Sequence, residues 1–168
     1  MKKATMLIAL LLAVPLPALA QQADTTGPLV ITVINRTAAA EAEAGSTRAD
    51  DTARPGDVLR YRLAFTNRTE GPVQGVILTN PIPRTIALVG GTVRSNGDDV
   101  QVEYSADDGR TWSAEPTEEV LVDGRRVRRP IPPERFTNVR WTVSGLVQPR
   151  ATVTAEYDTR IRLADSAQ

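Results

Sequence analysis

The stretch YSADDGRTW, residues 104 to 112, sets Ser105, Asp107, Gly109, Thr111 and Trp112 in a Ser-x-Asp-x-Gly-x-Thr-Trp pattern. A carboxylate flanked by hydroxyls and an indole could serve a sugar, the acid by proton transfer and the ring by stacking. The same residues also make a turn without any substrate. A short acid caps backbone N–H groups, glycine takes the left-handed conformation, Ser and Thr face each other, and the indole packs beneath. A second group is GRRVRRPIPPER, which brings Arg125, Arg126, Arg128 and Arg129 just after the Asp123-Gly124 turn. Guanidinium forks suit planar anions, so the four could hold an anionic polysaccharide, a headgroup or a protein carboxylate. The alternative is a solvated edge strand whose charge discourages sheet-to-sheet pairing.

The 105–112 pattern is that of the Asp-box, the turn that decorates the blades of sialidase-type propellers. A propeller needs about four to eight blades of some 40 to 45 residues, and this chain carries one copy of the box in room for about three. Sialidases use a tyrosine nucleophile, and the three tyrosines here, Tyr61, Tyr104 and Tyr157, all fall in strand-like runs. The structural turn is therefore the favoured reading of Ser105, Asp107, Gly109, Thr111 and Trp112. Histidine and cysteine are absent, which removes the usual near-neutral base, the commonest zinc ligand and all thiolate chemistry. Asp98-Asp99 and Asp107-Asp108 raise calcium, but the D-x-D-x-D-G spacing is missing. No catalytic residue, cofactor or metal site is assigned. Asn35-Arg36-Thr37 and Asn67-Arg68-Thr69 match the glycosylation acceptor formally.

The elements around these residues are extended. In DVLRYRLAFTN, Leu59, Tyr61, Leu63 and Phe65 alternate with polar or small residues, the period that gives a strand two unlike faces. Val139, Trp141 and Val143 do the same, as do Val100, Val102 and Tyr104, and Val153, Ala155, Tyr157, Ile161 and Leu163. Shorter β-branched runs at 29–34, 75–80, 85–89 and 119–122 predict further strands. Asn96-Gly97, Asp108-Gly109 and Asp123-Gly124 predict tight hairpins, while Gly90-Gly91 and Pro81-Ile82-Pro83 mark breaks. The segment at about 37–54 has helix-forming Ala and Glu but no large apolar side chain, and reads as a mobile connection, a turn of helix being the open alternative. Strands and turns at this density predict an all-β fold, an immunoglobulin-like two-sheet antiparallel sandwich of about seven to nine strands. The seven aromatics of the strand runs are expected mainly in the core.

Lys2 and Lys3, an apolar run from Thr5 to Val14 and Ala18-Leu19-Ala20 predict a secretory signal peptide at 1–20, cleaved after Ala20. The apolar run is too short to span a bilayer, which takes about 20 residues. The expected organisation is then a flexible start at 21–27, a single domain at 28–164 and a tail at 165–168. With both lysines in the leader, the processed chain carries 18 arginines against 20 acids. Such balance gives no general attraction to nucleic acid.

The order of these parts resembles the conserved-repeat domain of bacterial envelope and surface proteins, domain of unknown function family eleven. Pro55-Gly56-Asp57 leads into an alternating strand, Tyr61 to Asn67 ends in a Thr-Asn turn, Val76 to Asn80 precedes Pro81-Ile82-Pro83, and VEYSADDGRTW and VRWTVSGLVQPRATVTAEYDTRI follow in the family's order. The similarity covers about 30 to 164. Pro149-Arg150 stands where the family commonly has Pro-Gly. The resemblance implies an immunoglobulin-like sandwich outside the cytoplasmic membrane and no catalytic residues. The expectation is a non-enzymatic exported module, periplasmic or on the cell surface, with a structural, adhesive or protein-interaction role and a protein or envelope partner. The alternatives are a carbohydrate-binding domain at the 105–112 turn, a glycoside hydrolase, and a periplasmic assembly chaperone, which would need a second such domain.

Overall fold

A computed structural model of the chain describes residues 27–46 and 52–163. The expected signal peptide, the C-terminal tail and all but Gly27 of the flexible start lie outside the described residues. The described residues form an all-β fold of ten strands, one α-helix and one 3-10 turn: β1 Leu29–Asn35, α1 Arg36–Glu43, β2 Val58–Thr66, β3 Val76–Pro81, β4 Ile86–Leu88, β5 Arg94–Ser95, β6 Val100–Ser105, β7 Thr117–Val122, β8 Arg125–Pro130, the 3-10 turn Pro133–Arg135, β9 Asn138–Val143 and β10 Thr152–Ile161. All pairing is antiparallel. Two of the ten strands lie outside the eight runs expected, which also puts the count above seven to nine. β5 is two residues long, and β8 is mostly arginine, so neither carries an apolar pattern.

Three sheets form rather than two. The first runs β1-β2-β10-β4, with β5 also on β10; the second is β3-β9-β6; the third is the β7-β8 hairpin. Alternation decides what faces inward. Leu63, Ala155 and Tyr157 of the first sheet and Leu78, Val139 and Trp141 of the second share one buried cluster. At its centre Tyr157 stacks on Tyr61 with centroids 5.1 Å apart and lies tilted against Trp141 at 5.9 Å. Asn80, on β3, donates its amide to the Tyr157 hydroxyl, so a buried polar bond crosses between the sheets. The opposite faces hold directly opposed ion pairs, Arg60 with Asp158 at 2.7 Å and Arg140 with Glu103 at 2.7 Å.

Over the first part of the 37–54 connection the open alternative forms, and α1 is a two-turn helix. Its caps replace the missing apolar anchor. The Asn35 side chain accepts from the Ala38 N–H at 3.0 Å. At the other end Gly45, at φ +77°, and Ser46 donate back to Ala42 and Glu41, which satisfies the last carbonyls. The Thr37 hydroxyl also accepts from the N–H of Val58, fastening the helix to β2.

Two turn expectations are corrected: Asp108-Gly109, though both at positive φ, lies inside a loop whose flanks meet at the isolated Tyr104–Ser113 bridge, and Asn96-Gly97 also departs. Asp123-Gly124, both at positive φ, joins β7 to β8 directly. Asn96-Gly97 makes no hairpin, because β5 pairs with β10 and β6 with β9. There the chain crosses between sheets. The Asn96 side chain accepts from the Thr154 N–H, and a Cβ on Gly97 would press on Val100, Val153 and Val143 at 3.0–3.3 Å. Pro55-Gly56 and Pro149-Arg150 make matching turns: Asp57 N–H donates to Arg54 C=O, and Ala151 N–H to Gln148 C=O. Arg150, at φ +65°, takes the left-handed place that Gly56 holds at +91°.

Two outcomes are expected. Tyr157→Phe strands the buried Asn80 amide and lowers the unfolding free energy by about 1–3 kcal/mol in urea titration. Arg150→Gly relieves a left-handed side chain whose cost of ~1–2 kcal/mol exceeds the backbone entropy glycine adds, so stability rises by roughly 0.5–1 kcal/mol.

Candidate functional site

The 105–112 turn closes a loop between Tyr104 and Ser113, which bridge to each other. Asp107 organises it. Its carboxylate accepts from the Ser105 hydroxyl at 2.7 Å, the Thr111 N–H at 2.9 Å and the Thr111 hydroxyl at 2.7 Å. Ser105 Oγ in turn accepts from the N–H groups of Asp107 and Gly109. Asp108 and Gly109 hold φ values of 60° and 84°. Hydrogen bonds from Thr111 above all, then from Ser105, hold the Asp107 carboxyl down at about 2. An acid held that low is a poor proton donor at neutral pH.

Trp112 departs from the expectation of a core role. Its indole N–H donates to the Gly109 carbonyl at 2.9 Å, and the Arg140 guanidinium lies 4.2 Å from its ring centroid. Arg140 also pairs with Glu103 on the neighbouring strand, so Trp112 rests half-exposed on the outward face of β9. A cleft of about 360 Å³ opens beside it, lined among others by Tyr104, Asp107, Trp112, Ile131 and Arg135. The other aromatics do pack inward: Tyr104 stacks on Phe136 with centroids 4.7 Å apart. Burial pushes the phenols of Tyr61, Tyr104 and Tyr157 up, the opposite of what an activated tyrosine nucleophile requires.

The four arginines do not converge. On β8 the strand period sends Arg126 and Arg128 to one face and Arg125 and Arg129 to the other, all exposed. Acids of β7 stand opposite: Glu119 faces Arg128 and lies 3.6 Å from Arg126, while Glu118 faces Arg129 and pairs with Arg135 at 2.6 Å. A single multidentate anion site from all four is excluded by this geometry.

The formal glycosylation acceptors have structural work. Asn67 is buried, donates to the carbonyls of Gly71 and Val147 at 2.8 and 2.9 Å, and accepts from Thr69. Asn35 caps α1 and donates to Asp57 at 2.8 Å. Among the described residues no cluster of three or more acidic side chains is placed to hold a metal ion, and no helix is long and apolar enough to cross a membrane.

One feature of the surface carries no chemical motif, and its residues predict only a strand. β1 pairs on one side alone among the described residues, and Leu29, Ile31, Val33 and Ile34 are exposed on it. The available signal was the absence of any charge in LVITVIN. No family model, curated protein or solved structure matches the chain.

The Asp107 carboxyl sits below the ordinary aspartate value near 3.8 in the folded state, so its stabilising bonds are complete above about pH 4 and are lost as pH falls through about 2. Asp107→Asn is expected to lower the melting temperature at neutral pH and to flatten the acid limb of stability between those values, as followed by thermal melts across the range.

Proposed function

We propose that the chain is an exported, non-enzymatic module of the bacterial cell envelope, an immunoglobulin-like sandwich with a structural or adhesive role. The observation that carries the proposal is Asp107, the most reactive-looking acid of the sequence, which takes three hydrogen bonds from its own turn. A group so engaged serves architecture. The core shared by the five-stranded and three-stranded sheets favours the sandwich arrangement. The order of the Pro-Gly-Asp, Thr-Asn, Pro-Ile-Pro and closing Trp-strand motifs favours the envelope-repeat resemblance, and the Lys-led apolar start favours export. Asn67 gives the Thr-Asn motif a physical reason, since its amide ties the β2–β3 loop to the β9–β10 loop.

Carbohydrate binding is the second reading, favoured by the half-exposed Trp112 at the mouth of the 105–112 cleft. Arg140 already covers part of its ring, which leaves less of the π-face for a sugar to stack on.

Cell fractionation with N-terminal sequencing tests the first reading: the protein is expected outside the cytoplasmic membrane, starting at Gln21. Retention of an uncut chain in the cytoplasm overturns it. Tryptophan fluorescence separates the two readings, because Trp141 is buried and Trp112 is the half-exposed reporter. Emission unchanged by envelope oligosaccharides fits the structural module; quenching that Trp112→Phe abolishes favours the sugar site.

A further inference from the structure

The open edge of the five-stranded sheet has the composition of a pairing surface. Pro28 C=O accepts from Thr66 N–H at 2.8 Å, so the antiparallel ladder turns the backbone groups of Val30, Thr32 and Ile34 toward β2. The N–H and C=O groups of Leu29, Ile31 and Val33 therefore point to the side on which no described residue pairs with β1. Edge strands are ordinarily blunted by charge, proline or a bulge, and β1 has none of these: its seven residues are uncharged and stay in unbroken register with β2. The other margins are protected. β3 ends in Pro81, β6 carries Glu103, β8 is lined with arginine, and the edge made by β4 and β5 is split at Gly90-Gly91.

The side chains add a second observation. Leu29, Ile31 and Val33 oppose Phe65, Leu63 and Tyr61 and share their core-side face, yet they are 36, 42 and 49% exposed. The three-stranded layer that buries Leu63 thus stops short of β1. The Thr37–Val58 bond draws α1 toward β2 and away from this edge.

We propose that β1 is a self-association site and that its occupant is β1 of a second copy of this chain, paired antiparallel about Thr32. In that register Ile31 faces the partner's Val33 and Val30 the partner's Ile34, so apolar side chains meet on both faces, and the outward backbone groups of Ile31 and Val33 bond each other across the join. The charge pattern favours the same strand over an unlike one. β1 brings no charge to the join, and the arginines opposite it on β2, Arg60 and Arg62, are paired with Asp158 and Glu156, while Arg36 belongs to α1 beyond the strand's end. A formal charge of zero for the full chain, or 18 arginines against 20 acids without the leader, adds little long-range repulsion between copies. The join unites the two five-stranded sheets into one continuous sheet, as isologous two-fold interfaces do. The inference goes beyond the envelope reading and holds whether or not the protein is exported.

The purified protein is expected to sediment as a dimer. Thr32→Cys introduces the only thiol into a cysteine-free chain and places it opposite itself in a non-hydrogen-bonded pair, with Cα atoms about 4.5 Å apart, inside disulfide range. It should crosslink between copies about tenfold or more faster than Ile77→Cys, an exposed site on β3. Ile31→Pro removes an open-edge N–H without touching the β2 ladder and is expected to give a monomer with unchanged circular dichroism; Ile31→Lys should do the same by charge if proline disturbs folding. A protein that stays monomeric, equal crosslinking at the two cysteines, or a dimer that survives both Ile31 variants overturns the proposal.

Discussion

The fold depends on Tyr157. It sits fully buried at the middle of the longest strand, stacked on Tyr61 of its own sheet, tilted against Trp141 of the facing sheet, and bonded through its hydroxyl to Asn80. An amide and a phenol that satisfy each other can be buried where either alone would be costly. Because the bond has a fixed geometry, it also fixes how β3 lies over β10, something a purely apolar contact would do less sharply. The register of the strands on either side follows, since a slip of one residue would turn Leu63, Ala155 and Val139 out to solvent.

The loops are built on the same economy. Asp107, Asn67 and Asn35 each bond backbone at a bend, Asn67 with three such groups, and each belongs to a motif with a more eventful interpretation. A carboxylate with three internal donors, or an amide with two internal acceptors, is committed to its own chain. The arginines behave likewise. Arg60, Arg94 and Arg140 lie opposite acids across antiparallel ladders, and the paired Arg60 holds the Asp158 carboxyl below its usual range. Much of the surface charge is thereby spent on cross-strand pairing, which leaves the uncharged β1 edge distinct from its surroundings.

Several features were legible in the residues alone. Alternation located β2, β6, β9 and β10, and identified Leu63, Trp141 and Tyr157 as inward, because a strand's two faces are written directly into parity. The Asp107 turn was legible because its bonds are local, spanning two to four residues. Asn35 and Gly45 bracket α1 as its caps, and they matter because the helix has no large apolar side chain of its own.

Other features have no local signature. Asn96-Gly97 resembles a hairpin until β5 and β6 are seen to join different sheets, since hydrogen-bond partners come from distant chain. The outward place of Trp112 arises from Arg140, nearly thirty residues away. Arg150 occupies a glycine's backbone conformation because the turn it completes is held by Asn67. The residue types and their spacing thus determined strands, turns and inward faces, each a matter of neighbours along the chain. Only the tertiary structure decided which strands became neighbours in space, because their hydrogen-bond and packing partners come from residues distant along the chain.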